Sequence, residues 1–197
     1  MSKTINRLLS LDPGTETFGV SVFDFSSVGD IELIFCHTNT VKDGLKEDVD
    51  RRVNNVLLGN KEQRLLYVEQ QMLNYFNQWQ PAILAYEFAF MHQQANAYRA
   101  LVEFGSRVRH AAFSYDRCMP IHEVSPQHAK KSVTVDFTRE ELKGKDQKEI
   151  NYLGVKRLIE QGKLKTSIDI DVLDHHSWDS IAVGYTVVQK YLRKWGA

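Results

Sequence analysis

Apolar and polar positions along the chain fall into two kinds of segment, one alternating and one recurring every three to four residues. Residues 5–12 carry the run L-L-S-L-D into the turn signal Pro13-Gly14-Thr15 and predict a buried strand. Residues 17–25 alternate as a second strand. A turn over Ser26 to Asp30 leads to a third at 31–38. This opening predicts a three-stranded antiparallel meander. Residues 41–60 are polar and weakly periodic and read as a long loop or insertion. From Lys61 to Trp79, apolar Leu65, Leu66, Val68, Met72, Leu73 and Phe76 follow a helical period. Pro81 then separates this helix from a short strand, 82–86, which delivers Glu87 at its end. Residues 93–115 predict a second helix with a small-residue stripe of Ala97, Leu101, Gly105, Val108 and Ala112. A fifth strand is expected at 119–124, and a short helix with Pro126 in its first turn. The stretch 135–149 is basic and expected to be mobile, and helices follow at 147–161 and 176–194. A meander followed by alternating strands and helices predicts an α/β fold with a five-stranded mixed sheet flanked by helices.

Composition narrows the class. Of 197 residues, 43% are apolar and 25% charged, with only 11 Gly and 4 Pro, which excludes disordered and collagenous chains. The length suits one domain over 1–197, with 41–60 as an insertion in it. No apolar run approaches the roughly 18 residues of a membrane span. The start, M-S-K-T-I-N-R, lacks the apolar core of a secretory signal. Cys36 and Cys118 are too few for a disulfide framework and read as thiols in a reducing cytoplasm.

The 25 basic and 25 acidic side chains sum to zero, which on its face argues against a nucleic-acid partner. The sum hides an asymmetry. Residues 1–98 hold 8 basic and 12 acidic side chains, whereas 99–165 hold 14 and 9. An uneven solvated surface is one reading of this; a localised phosphate-binding face is the other.

Four side chains stand where chemistry is expected. Asp12 ends the first strand and Glu87 the fourth, so both carboxylates sit on rigid elements at the edge of a crevice. In L-D-H-H-S-W-D-S, His176 and Asp179 share a helical face at i and i+3, while Asp174 is placed to cap that helix. Singly, each has an ordinary alternative: a turn residue, a solvated strand end, or acids favoured by a helix N-terminus. Together they would form an oxygen-rich site suited to hard Mg²⁺ ions and phosphodiester hydrolysis. The histidine would either ligate a metal or move protons.

These residues carry a resemblance to the RuvC family of Holliday junction resolvases, on the RNase H-like fold. L-S-L-D-P-G-T-E-T-F-G-V resembles the family's first-strand motif, Y-E-F-A-F its second, and H-S-W-D-S-I-A its terminal helix motif. The resemblance implies that Asp12, Glu87, His176 and Asp179 bind two Mg²⁺ ions, with Mn²⁺ able to substitute. It implies that Phe90 stacks on bases near the crossover. P-Q-H-A-K-K-S-V-T-V resembles the segment supplying a catalytic or phosphate-contacting lysine, here Lys130 with Lys131 as the alternative. G-K-D-Q-K resembles the next such element and places Lys145 there. Two departures stand out: Trp178 and Ser180 flank Asp179 where the family usually has alanine, and 41–60 is absent from compact bacterial members.

The expected activity is therefore metal-dependent resolution of four-way DNA junctions by symmetric nicks, carried out by a homodimer in a bacterial cell or phage-infected host. Arg99, Arg107, Arg109, Lys143 and Lys148 join the lysines above as expected DNA contacts. A broader nuclease acting on forks, flaps or hybrids has the same site residues. An inactive branched-DNA-binding protein is an alternative of another class, which the intact acidic set argues against.

Overall fold

The structure is a computed structural model that describes residues 5–14, 16–41, 49–88 and 95–196. Strands β1 (Ile5–Asp12), β2 (Thr17–Ser26) and β3 (Ile31–Thr40) form the antiparallel meander. Helix α1 (Val49–Trp79) leads to β4 (Ile83–Glu87), α2 (Ala95–Tyr115), β5 (Ile121–Val124) and α3 (Pro126–Val133). Helix α4 (Gln147–Glu160), β6 (Lys165–Thr166), a 3₁₀ turn (Ile170–Val172) and α5 (His175–Trp195) complete the chain. The sheet order is β5-β4-β1-β2-β3-β6, with β4 parallel to β1 and β5 and with β6 parallel to β3.

Alternation along the strands divides the interior into two layers. Leu9, Leu11, Val20, Val22, Leu84 and Tyr86 face α1 and α2, where Met72, Phe76, Phe104 and Val108 complete one core. Leu8, Phe23, Phe25, Leu33, Ile83 and Ala85 face the other side, against α3, α4 and α5. Full burial of each Leu or Phe side chain contributes about 1.5–3 kcal/mol, so both layers hold the sheet. The small-residue stripe of α2 is spent inside this fold: Gly105 lies against the Tyr86 ring, and Val108 and Ala112 are buried in the same layer.

Three expectations are corrected. The sheet has six strands, because Lys165 and Thr166 pair with Glu32 and Leu33. Two residues cannot display an alternating pattern, so this edge strand leaves no periodic signal. The segment 41–60 is not a loop throughout, since α1 begins at Val49 and runs 31 residues. Weak periodicity reports the lack of an apolar stripe, not the lack of a helical backbone, and the stretch contains no proline. The basic stretch 135–149 is tied down by Arg157, which bonds the Asp136 carbonyl and pairs with Glu141, and by a Lys163–Asp136 pair. Among the described residues, no helix is long and apolar enough to cross a membrane.

Candidate active site

Register brings the first two acids together. Leu11 pairs with Tyr86 across parallel β1 and β4, so Asp12 and Glu87 occupy the next matched positions at the ends of both strands. Leu11 and Tyr86 face the α1–α2 layer. The strand period therefore turns Asp12 and Glu87 to the other face, toward α5.

Helix α5 meets that face by its first turn. Asp174 caps it, accepting from the Ser177 N–H at 3.0 Å and the Thr38 hydroxyl at 2.5 Å. The sheet surface beneath is built of small side chains. A Cβ on Gly19 would lie 1.9 Å from the His176 carbonyl oxygen, so only glycine there lets the helix backbone approach. Ser10 donates to the Ser180 carbonyl at 2.9 Å, Ser21 and Ser180 share a hydrogen bond at 2.5 Å, and Ser180 bonds the Ser177 carbonyl. These buried hydroxyls satisfy one another and fix the helix start against β1 and β2. Trp178, the bulky neighbour of Asp179, turns away: its indole N–H donates to the Ile170 carbonyl and its ring packs on Tyr152.

This docking places His176 over the strand ends. Its Nδ1 is 2.7 Å from Asp12 Oδ2 and its Nε2 is 2.6 Å from the Thr17 hydroxyl. Both ring nitrogens are engaged, so in this arrangement the histidine orients Asp12. The Asp12 hydrogen bond holds the His176 pKa above its usual value. Burial raises that of Asp12, and the bond from His176 offsets only part of the effect.

Glu87 and Asp179 complete the acidic set. Burial pushes Glu87 up to about 8, with the charges of Asp12 and Asp179 adding to it. Burial and then Asp12 push Asp179 up to about 6. Asn151 of α4 opposes this by donating from Nδ2 to Asp179 Oδ1 at 2.5 Å, and His176 and Lys148 act in the same direction. Among the described residues, no three His, Cys, Asp or Glu side chains stand as a ready-made cation cage. The donor set nonetheless fits a hard cation: Asp12 raises the pKa of both Glu87 and Asp179, and Asp179 that of Glu87, a crowding of buried carboxylates that a divalent ion would relieve.

The other expected residues are distributed unevenly. Lys148 lies near enough to Asp179 and His175 for its charge to lower the pKa of both. Lys145 instead pairs with Glu149 one turn on, and Lys143 lies exposed on a turn. Lys130 and Lys131 lie in the last turn of α3. Arg99 pairs with Glu103, Arg107 with Glu62 and Glu69, and Arg109 with Glu123. Much of the basic middle thus balances acids of α1, α2 and β5. Phe90 lies outside the described residues. Asn151 and Thr17 were missed by sequence reasoning; no pattern marks them, because both reach the site only through tertiary packing.

No protein-family profile and no curated protein matches the sequence. Solved structures do match its shape. RuvC of Thermus thermophilus in complex with a Holliday junction substrate is 16% identical, covers 94% of this chain and 96% of its own, and has a TM-score of 0.65. Another structure of that protein gives 15% and 0.63. The yeast mitochondrial Holliday junction resolvase gives 13% and 0.64, over 97% of this chain and 83% of its own. The fold is of the RNase H-like kind that these structures share. More narrowly, it is the RuvC-type arrangement, matched over nearly the whole of this chain.

Proposed function

We propose that this protein is a divalent-metal-dependent endonuclease that resolves four-way DNA junctions by paired nicks. The observation that carries the reading is the convergence of Asp12, Glu87 and Asp179 at one end of a RuvC-type sheet. Asp12, Glu87 and Asp179 would hold two Mg²⁺ ions, for which Mn²⁺ can substitute. When bound, the ions supply Lewis acidity for the attacking water and for the leaving oxygen. Within this frame His176 keeps Asp12 oriented and retains a proton between Asp12 and Thr17. Asn151 holds one oxygen of Asp179, leaving the other for a ligand. Lys148 places a cation near the acids, where it would contact a phosphate oxygen, alongside the expected Lys130 and Lys145.

Symmetric nicking needs two such sites, hence a homodimer. The exposed apolar residues of α2, Val102 and Phe113, lie eleven positions apart on one helical face and suit that contact.

Asp12→Asn and Glu87→Gln are expected to lower junction nicking in Mg²⁺ by at least a thousandfold while junction binding persists. The assay compares symmetric nick pairs on a mobile junction with cutting of linear duplex, forks and hybrids. Equal cutting of all substrates would replace the resolvase reading with a broader nuclease, and full activity in both variants would overturn the site.

A further inference from the structure

A cleft of about 930 Å³ lies at the far end of α5 from the carboxylates. Its cations are Lys131 of α3, Lys163, and Lys190, Arg193 and Lys194 of α5; its one acid is Glu123. Glu123 is already engaged, accepting from the Tyr86 hydroxyl at 2.6 Å and from Arg109 at 3.0 Å. Lys163 is paired with Asp136, but the other four cations have no ion-pair partner among the described residues. Arg99, Arg107, Arg109, Lys145, Lys156 and Lys165, by contrast, each have an acidic partner.

The two helices that carry these cations are fixed against each other. Lys190, Arg193 and Lys194 fall at i, i+3 and i+4 on one face of α5. Across the cleft, the Ser132 hydroxyl, next to Lys131, bonds the Thr186 hydroxyl at 2.7 Å and so fixes α3 against α5. Four unpaired cations around a groove repel one another, and a polyanion relieves that repulsion. The helical rise puts Lys190 about 16 Å and Lys194 about 22 Å along α5 from Asp179. Backbone phosphates of a duplex strand advance about 3.4 Å each along the axis, so that span is about five to seven phosphates.

We infer that this cleft is a second phosphate-binding site, which grips the backbone of a duplex arm five to seven phosphates from the cut. The inference rests on the junction-nuclease reading and adds to it an anchoring surface distinct from the carboxylate centre. A grip on phosphates alone carries no sequence information and positions the arm.

The test is a cycle on a long-armed junction. One change is the triple variant Lys190→Gln, Arg193→Gln, Lys194→Gln, checked for an unchanged melting curve. The other replaces phosphates five to seven with neutral methylphosphonates. The triple variant should reduce the slope of log affinity against log salt by about 2 to 3, since each lost contact removes about 0.9. Methylphosphonates should weaken the parent and have little further effect on the triple variant. Strictly additive losses, or an unchanged slope, would overturn the inference. So would protection of Lys190 and Lys194 from acylation by inorganic tripolyphosphate but not by the junction, which would make the occupant a small anion. A parent that binds linear duplex as tightly as the junction would instead count against the function proposed above, and the cycle would still read the cleft.

Discussion

The two halves of α5 rest on the sheet in opposite ways. The first half lies on Ser10, Gly19 and Ser21, and is joined to it by hydroxyl hydrogen bonds. The second lies in an apolar layer with Leu8, Phe23 and Leu33, and its rings of Tyr191 and Trp195 meet Phe25 with centroids 6.0 and 5.7 Å apart. Burial of Val183, Val187, Val188 and Leu192 holds that half independently of the acids. The difference teaches how crowded carboxylates persist. Like charges at the helix start oppose folding, and the apolar half supplies the binding free energy that keeps the helix docked.

The sharpest break in this comparison comes at Gly19. A methyl group there would press on the helix backbone at His176 and Ser177, which cannot rotate away. Gly19→Ala is expected to cost roughly 3 kcal/mol or more and to abolish nicking, because overpacking at a backbone contact forces the helix start off the sheet. Trp195→Ala, at the apolar end, should cost only about 1 kcal/mol and leave nicking intact, since the ring is 42% exposed. Urea unfolding of both variants measures the contrast, and equal losses would erase it.

A smaller effect is expected at Asn151. The residue is 3% exposed, it donates to Asp179, and among the described residues its own Oδ1 is buried with no partner. Asn151→Ala should weaken Mg²⁺ affinity, measured by calorimetry without DNA, by roughly 10- to 100-fold, as loss of a residue that orients a ligand does. Affinity within twofold of the parent would show that Asp179 needs no such support.

The pH dependence follows from the acids. Glu87 near 8 and Asp179 near 6 lie above ordinary carboxylates, and Asp12 is raised as well. Between about pH 4.5 and 8 the folded protein therefore holds more protons than the unfolded chain, so stability falls as pH rises. His176 acts in the same sense, because its bond to Asp12 is fully effective below its unfolded pKa and weakens as pH passes its raised folded value. Without divalent ions, the melting temperature should drop by roughly 3–8 °C from pH 5.5 to 8.5, the shift that one to two kcal/mol produces in a domain of this size. Mg²⁺ at pH 8 should restore it. A flat profile would mean that the acids are not electrically crowded.

How much of this was legible in the sequence depended on the range of the interaction. Asp12 and Glu87 could be read because a strand end places a carboxylate by local geometry, and Asp174 because a helix cap is local too. The two-layer sheet followed from periods of two and 3.6. The ion pairs of the α2 arginines show the converse: Glu62 and Glu69, which pair with Arg107, lie on another helix some forty residues away. Lys148 and Lys145 are three residues apart in one basic stretch, and only the packing of α4 beside α5 brings the charge of Lys148 near Asp179. Asn151 carries no charge and lies in an amphipathic helix, where nothing local distinguishes it from a solvated amide.

The smallest expected effect concerns Ser180, which stands beside Asp179 where the resembled family carries alanine. Its hydroxyl is fully buried and bonds Ser21 and the Ser177 carbonyl. Ser180→Ala alone strands the Ser21 hydroxyl, whose remaining contact to Ser10 is a long 3.4 Å, and should cost about 1–2 kcal/mol. Removing both hydroxyls with Ser21→Ala and Ser180→Ala deletes donor and acceptor together and should return stability to within about 0.5 kcal/mol of the parent. The Ser10 bond to the Ser180 carbonyl is backbone-directed and survives both changes. If the double variant is less stable than either single one, the seam holds the helix by its hydroxyls. If it recovers, the close approach that Gly19 permits is what docks the helix start, and the serines only satisfy one another.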